Sequence, residues 1–81
     1  MIFVDTGAWI ALTDKSDQYH NDAIEIYSKL KLQRERFLTT DYVIDETVTR
    51  LRYDAGHKIA INFLELMNLS EEVRILQIVH V

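Results

Sequence analysis

Apolar residues along this chain form three short runs, and in three longer stretches between those runs they repeat at helical spacing. The first run, Ile2-Phe3-Val4, contains two β-branched residues and no polar one, the pattern of a strand buried on both faces near the centre of a parallel sheet. The second run is Phe37-Leu38, which continues into the polar pair Thr39-Thr40, and the third extends from Val73 to Val79. We therefore predict three strands at these positions.

Four helices are predicted between these strands. Their expected bounds are Ala8–Leu12, Tyr19–Gln33, Tyr42–Tyr53 and His57–Met67. Apolar residues repeat at helical spacing in the last three and predict their buried stripes. The stripes consist of Ala23, Ile26, Tyr27 and Leu30, then Ile44, Val48 and Leu51, then Ile59, Ala60, Phe63, Leu64 and Met67. Thr40 or Asp41 can cap the third helix, and Gly56 suits a left-handed position after it.

The predicted order of elements is strand, helix, helix, strand, helix, helix, strand. Strands joined by helical crossovers pair in parallel through right-handed connections, and we expect helices on both faces of the sheet. A chain of 81 residues is long enough for one small domain. Residues 1–81 are therefore interpreted as a single domain with an open α/β sheet of about three parallel strands.

Composition excludes several classes of protein. The chain has no cysteine, so neither a disulfide framework nor a thiolate metal site can form. No apolar run approaches the roughly 18 residues of a membrane span, and the first residues lack the basic region of a signal peptide, so we expect a cytoplasmic location. The net charge of -4 argues against generic nucleic-acid binding, although an enzyme can still meet RNA at one local patch. No Gly-rich loop follows the first strand, which disfavours nucleotide binding.

Several carboxylates are predicted at one edge of the sheet. Asp5 follows the first strand directly, where open α/β sheets bind ligands. Asp41, Asp45 and Glu46 occupy the start of the third helix, which begins at the carboxyl end of the second strand. Asp45 and Glu46 point about 100° apart around that helix, so they cannot both face Asp5, and the spacing alone does not choose between them.

These acidic residues have both a structural and a chemical interpretation. Asp5 or Thr6 can simply cap the first helix, and Glu46 can pair with Arg50 one turn later. A carboxylate cluster without cysteine or histidine partners also suits Mg²⁺ or Mn²⁺, which prefer oxygen ligands and hydrolyse phosphodiesters by activating a water. The three histidines show no metal-ligand spacing and receive no role: His20, His57 and His80.

Three segments together resemble the PIN domain and, within it, the VapC-type toxins of toxin–antitoxin pairs. They are Ile2–Trp9, Asp17–Ala23 and Leu38–Leu51, and the ordered set covers nearly the whole chain. The resemblance extends over about the first two-thirds of a PIN domain. The chain is therefore expected to lack the family's C-terminal helix and strand region, together with its third and fourth acidic residues.

The resemblance implies a Mg²⁺- or Mn²⁺-dependent endoribonuclease that hydrolyses RNA. By this resemblance, Asp5 and Glu46 are the catalytic metal ligands and Thr6 is an auxiliary polar neighbour. The resemblance thus favours Glu46 over Asp45 as the second ligand. It also implies a cognate antitoxin as partner. Three basic residues are candidates for contacts to RNA phosphates: Arg50, Arg52 and Lys58.

The missing C-terminal region leaves two further expectations. In the family's sheet that region borders the first strand, so its loss exposes an apolar edge, and we predict a homodimer or higher assembly. An incomplete set of acidic residues also leaves catalysis open. The alternatives are an inactive PIN fragment that serves in dimerisation or antitoxin binding, and an α/β domain of another kind in which Asp5 is only a cap.

Overall fold

The computed structural model describes residues 1–78 and contains the predicted succession of strands and helices. The elements are β1 (Ile2–Phe3), α1 (Thr6–Thr13), α2 (His20–Leu32), β2 (Phe37–Thr40), α3 (Asp41–Asp54), α4 (His57–Leu69) and β3 (Val73–Leu76). The predicted third strand was too long, because its partner β2 ends at Thr40, which pairs with Leu76. Val79, which belonged to that prediction, and His80 lie outside the described residues.

The three strands form one parallel sheet in the order β1-β2-β3. Phe37 of β2 pairs with Ile2 on one side and with Val73 on the other. The predicted fold class, an open α/β sheet of three parallel strands, is therefore confirmed. Within residues 1–78, no helix is long and apolar enough to cross a membrane.

The helices cover one face of this sheet, which differs from the cover on both faces that we predicted. The indole of Trp9 in α1 donates a hydrogen bond to Thr39, and the ring of Tyr27 in α2 stacks on Phe37 at 4.4 Å. Phe63 of α4 packs against Trp9 with ring centroids 5.9 Å apart. Both crossovers step across the sheet in the same direction, and right-handed connections of this kind place their helices on the same face.

The other face of the sheet is largely open. Phe3 is 54% exposed and Leu76 is 41% exposed, and both side chains belong to this face. The prediction that the first strand is buried on both faces is therefore wrong. Only Val4, which follows β1, is fully buried in this segment.

Side-chain caps fix where two of the helices begin. Asp5 caps α1, since its Oδ1 accepts a hydrogen bond from the backbone N–H of Ala8 at 3.1 Å. Thr40 rather than Asp41 caps α3, because its hydroxyl accepts the N–H of Val43 at 3.1 Å. Gly56 has a φ of 103° between α3 and α4, a conformation that L side chains rarely adopt.

The predicted apolar stripes are confirmed for α3 and α4 but only in part for α2. Leu51 and Phe63 are at most 1% exposed and lie in the core cluster between the helices and the sheet. No residue of α2 is fully buried, and Ile26, which we predicted to face the core, is 59% exposed. Ile26 lines a groove beside β1 that no described element fills.

Candidate active site

The candidate active site lies where β1 ends and α1 begins. Asp5 follows the buried Val4 in an extended conformation, and its exposed carboxylate occupies the N-cap of α1. Positive electrostatic potential at a helix N-terminus favours an anionic side chain here. The structural interpretation of Asp5 as a cap is thus correct, and one oxygen, Oδ1, serves that purpose. A carboxylate has further lone pairs with which it can bind a cation.

Glu46 approaches this site from the second turn of α3. Its Oε1 accepts a hydrogen bond from the hydroxyl of Thr6, the residue directly after Asp5. Thr6 is only 5% exposed, so packing fixes the hydroxyl that holds Glu46. This contact joins α1 to α3 through two residues that are 40 positions apart along the chain. It therefore brings the Glu46 carboxylate next to the residue that follows Asp5.

The other two carboxylates of α3 have different surroundings. Asp41 is half-buried, and its Oδ1 accepts the backbone N–H groups of Tyr42 at 2.8 Å and of Ile78 at 3.1 Å. It thereby ties the segment after β3 to the start of α3. Asp45 is exposed, and Glu46 rather than Asp45 makes the contact with Thr6.

Glu46 and Arg50, which the sequence allowed to form an ion pair, are not paired within residues 1–78. The ion pairs of these residues are Met1 with Glu35, Glu25 with Lys29, and Lys31 with Glu72. Glu46 is exposed, and its hydrogen bond from Thr6 leaves its remaining oxygen available for a ligand.

The three basic candidates for RNA contact lie at different distances from Glu46. An α-helix rises about 1.5 Å per residue, so Arg50 lies roughly 6 Å further along α3 and on a neighbouring part of its surface. Arg52 points to another side of the helix, and Lys58 lies in the first turn of α4, beyond the far end of α3. All three side chains are exposed. The structure therefore brings Arg50 nearest to the carboxylates and separates the other two from them.

The oxygen atoms at this site fit a hard divalent cation, although they are few. Mg²⁺ binds through one or two carboxylates and completes its shell with water and substrate phosphate oxygens. Asp5 and Glu46 supply two carboxylates of that kind. No group of three or more acidic, histidine or cysteine side chains arranged for a metal occurs within the described part of the chain. Any cation held here would keep most of its shell for water or phosphate.

Two polar contacts that position the site were not predicted from the sequence. The fully buried hydroxyl of Thr39 accepts the indole N–H of Trp9 and donates to the carbonyl oxygen of Val4, both at 3.2 Å. It thus fixes the end of β1 and the first helix in relation to β2. The signal in the sequence is the position of Thr39 two residues after the apolar Phe37, which places both side chains on the same face of the strand.

The sequence matches the family model for the PIN domain over residues 2–80. It is also similar to the 23S rRNA-specific endonuclease VapC20 of Mycobacterium tuberculosis, in strains CDC 1551 / Oshkosh and ATCC 25618 / H37Rv, with 33% identity over 75 residues in each case. These residues make up 93% of this chain but 54% of each relative. The chain thus spans about half the length of the curated relatives that it matches.

A solved structure supports the same relationship at the level of the fold. It is a crystal structure of Mycobacterium tuberculosis VapC20, described as a Sarcin-Ricin loop cleaving toxin, and it matches with a TM-score of 0.84 and 29% sequence identity. The match covers 98% of this chain and 58% of that chain. The predicted resemblance is confirmed by both comparisons and by the family model. The chain belongs to the PIN domain family.

Proposed function

We propose that this chain is a divalent-metal-dependent endoribonuclease of the VapC type, the toxin of a toxin–antitoxin pair. The observation that carries the proposal is the hydrogen bond from Thr6 to Glu46, which brings a second carboxylate to the sheet edge where Asp5 lies. The relatives named VapC20 are described as 23S rRNA-specific endonucleases, which supports RNA as the substrate class. We further propose that the protein acts in the cytoplasm, as an assembly of more than one copy.

In this proposal, Asp5 and Glu46 hold Mg²⁺ or Mn²⁺ at the carboxyl edge of the sheet. A divalent ion held by these two carboxylates would supply an activated water and charge neutralisation at the phosphodiester. Thr6 orients Glu46 through its hydroxyl, so the carboxylate is already positioned before the ion arrives. Arg50 is the nearest of the three basic candidates and contacts a phosphate beside the scissile bond. Arg52 and Lys58 contact more distant phosphates.

Cleavage of a labelled RNA by matched variants tests the proposal. Asp5→Asn keeps a good N-cap for α1 but removes the negative charge, so we expect cleavage to be lost while the helix content stays unchanged. Glu46→Gln should have the same effect. Asp45→Asn is the control, because Asp45 is exposed on the same helix and does not contact Thr6. Equal cleavage by wild type and Asp5→Asn would show that Asp5 is not a catalytic ligand.

A second function, antitoxin binding without catalysis, is supported by a groove between α1, α2 and α4. The groove has a volume of about 440 Å³ and combines apolar side chains such as Ile24 and Leu66 with Lys15 and with Lys31, whose partner Glu72 also lines it. Ile24 and Leu66 are 43% and 55% exposed. These features suit the apolar face of an amphipathic partner helix. If the chain is such a module, Leu66→Lys should abolish partner binding while Asp5→Asn leaves it unchanged.

A further inference from the structure

An exposed aromatic side chain lies one helical turn before Glu46. Tyr42 is the second residue of α3 and is 61% exposed. Residues four positions apart are neighbours on the surface of a helix, with Cβ atoms about 5–6 Å from each other. Side chains also tilt toward the start of their helix, so Glu46 leans toward the turn that carries Tyr42. The Tyr42 ring therefore lies beside Glu46, on the side nearer the carboxyl edge of the sheet.

Hydrogen bonds at the start of α3 fix the backbone that carries this ring. The hydroxyl of Thr40 accepts the N–H of Val43 at 3.1 Å, and the carboxylate of Asp41 accepts the N–H of Tyr42 at 2.8 Å. The helix follows directly on β2, the middle strand of the described sheet, and Ile44 anchors its first turns in the core. Tyr42 thus projects from a rigid turn, and its position relative to Glu46 follows from the geometry of one helix.

Tyr42 differs from the aromatic residues that hold the fold together. Those residues pack ring against ring beneath the helices, and they are Trp9, Tyr27, Phe37 and Phe63. Within residues 1–78, Tyr42 belongs neither to these ring pairs nor to the apolar core. The face of its ring is therefore available to a flat group of a ligand that binds at Glu46.

Glu46 lies between an aromatic and a basic side chain along α3. Tyr42, Glu46 and Arg50 follow one another at four-residue intervals, each about 6 Å further along the helix and about 40° further around it. Tyr42 and Arg50 are both exposed. Proteins that bind single-stranded nucleic acid combine basic side chains for the phosphates with aromatic side chains for the bases. The row along α3 provides one of each, on opposite sides of a carboxylate proposed above to hold the metal.

We propose that Tyr42 stacks on a nucleobase next to the scissile phosphate of the RNA. This inference rests on the ribonuclease function proposed above and adds a residue that contacts the substrate at the same site. With the phosphate at the metal and Arg50 on one side, the ring of Tyr42 holds the adjoining base on the other side. Stacking uses the flat face that every base has, so Tyr42 positions the nucleotide without reading its identity.

Steady-state cleavage of a short single-stranded RNA of mixed sequence tests this role. Tyr42→Leu keeps a large apolar side chain that suits a helix but loses the aromatic face, so KM should rise about 5- to 100-fold. The value of kcat should change little, because the stacked base is bound alike before and during cleavage. Tyr42→Phe keeps the ring and should behave like wild type. Tyr53→Leu is the control, since Tyr53 is 88% exposed on α3 but lies seven residues beyond Glu46, away from the carboxyl edge.

RNA that lacks one base shows whether the ring and the base contact each other. An abasic nucleotide is placed in turn on each side of the cleavage point. At one of these positions, wild type should show the raised KM of Tyr42→Leu, and Tyr42→Leu should lose nothing further, because the same contact is already absent. Additive losses at both positions would overturn the proposal. Calorimetric titration with Mn²⁺ excludes an indirect effect: Tyr42→Leu should bind the ion as wild type does, and a loss of affinity would mean that Tyr42 instead supports Glu46.

Failure of this inference can be told apart from failure of the proposed function. If wild type and Tyr42→Leu cleave the RNA with the same KM, the stacking role is wrong and the nuclease assignment stands. If wild type does not cleave RNA, the nuclease assignment is wrong, and fluorescence anisotropy of the same labelled RNA with Mn²⁺ decides on the stacking. In that measurement, Tyr42→Leu should bind about 5- to 100-fold more weakly than wild type and Tyr53→Leu. Equal affinities of the three proteins would overturn the proposal.

Discussion

Thr6 is the residue on which the geometry of the candidate site most depends. Its buried hydroxyl is the only described contact that fixes the Glu46 carboxylate in residues 1–78, and its backbone follows Asp5 directly. The family resemblance gave Thr6 an auxiliary role from sequence. It could not reveal the hydrogen-bond partner, because that partner lies 40 residues further along the chain. Helical spacing alone could not choose between Asp45 and Glu46 for the same reason.

Replacing Thr6 by valine tests this positioning role. Thr6→Val keeps the shape of the side chain but removes the hydroxyl, so we expect Mn²⁺ affinity to fall by about 10- to 100-fold with Asp5 and Glu46 both present. Thr6→Ser retains the hydroxyl and should bind the ion nearly as well as wild type. Calorimetric titration of both variants measures the difference. Equal affinity in Thr6→Val and Thr6→Ser would show that the hydroxyl does not position Glu46.

The fold also changes the ionisation of Glu72, whose pKa is lowered. Its own backbone N–H, the Tyr27 hydroxyl at 3.2 Å and Lys31 at 3.5 Å stabilise the carboxylate and hold its pKa below the usual value, although burial opposes this. A lowered pKa stabilises the folded state above the ordinary glutamate pKa, and this stabilisation is lost as pH falls through the folded-state pKa. Burial, followed by the negative charge of Glu72, raises the pKa of Tyr27.

The free energy of unfolding of Glu72→Gln should therefore differ from wild type in a pH-dependent way. At neutral pH the variant should be less stable. The difference should shrink below about pH 4, where glutamate becomes protonated and resembles glutamine. Urea unfolding of both proteins from pH 7 to pH 3 measures this. A difference that stays constant over that range would mean that the charge of Glu72 does not contribute to stability.

At the scale of the elements, the features of α3 and α4 were predicted most completely from the sequence. Their apolar residues repeat at regular helical spacing, so their bounds, their buried faces and the turn at Gly56 followed from the sequence. The pattern of α2 looked equally regular, yet Ile26 is exposed because the groove beside β1 has no described element on its outer side. Periodicity identifies the apolar face of a helix, but it does not show whether a neighbour covers that face.

The contact between α3 and α4 should dominate the stability of the second half of the fold. Leu51 is fully buried between these helices and the sheet, so Leu51→Ala is expected to cost about 2–5 kcal/mol in free energy of unfolding. Leu69→Ala is the control, because Leu69 is 78% exposed at the end of α4 and its truncation should change stability by at most about 0.5 kcal/mol. Similar values for the two variants, measured by urea unfolding, would contradict the assigned core.

At the scale of the molecule, the described helices all lie on one face of a sheet whose strand order is β1-β2-β3. The two right-handed crossovers place the helices on one face, which leaves Phe3 and Leu76 exposed on the other. We predicted helices on both faces without considering the strand order. In the order β1-β2-β3 both crossovers run across the sheet in the same direction, so right-handed connections place their helices on the same face. The strand order and parallel pairing needed only the alternation of strands and helices, and they were predicted correctly.

The charge of the whole molecule also bears on the proposed activity. With a net charge of -4, the chain is not attracted to RNA over its surface as a whole. Neither Asp5 nor Glu46 forms an ion pair with a basic residue within residues 1–78. A divalent ion at Asp5 and Glu46 would neutralise the negative charge that a phosphodiester otherwise meets there. Metal binding is therefore the step on which the proposed function depends.

Calorimetric titration of the 81-residue chain with Mn²⁺, beside Asp5→Asn, Glu46→Gln and the Asp45→Asn control, tests that step most directly. Mn²⁺ shares the oxygen ligands that Mg²⁺ prefers. We predict that wild type and Asp45→Asn bind the ion and that the other two variants lose this binding. Absence of binding in wild type, or equal binding in all four proteins, would contradict the assignment of Asp5 and Glu46 as metal ligands.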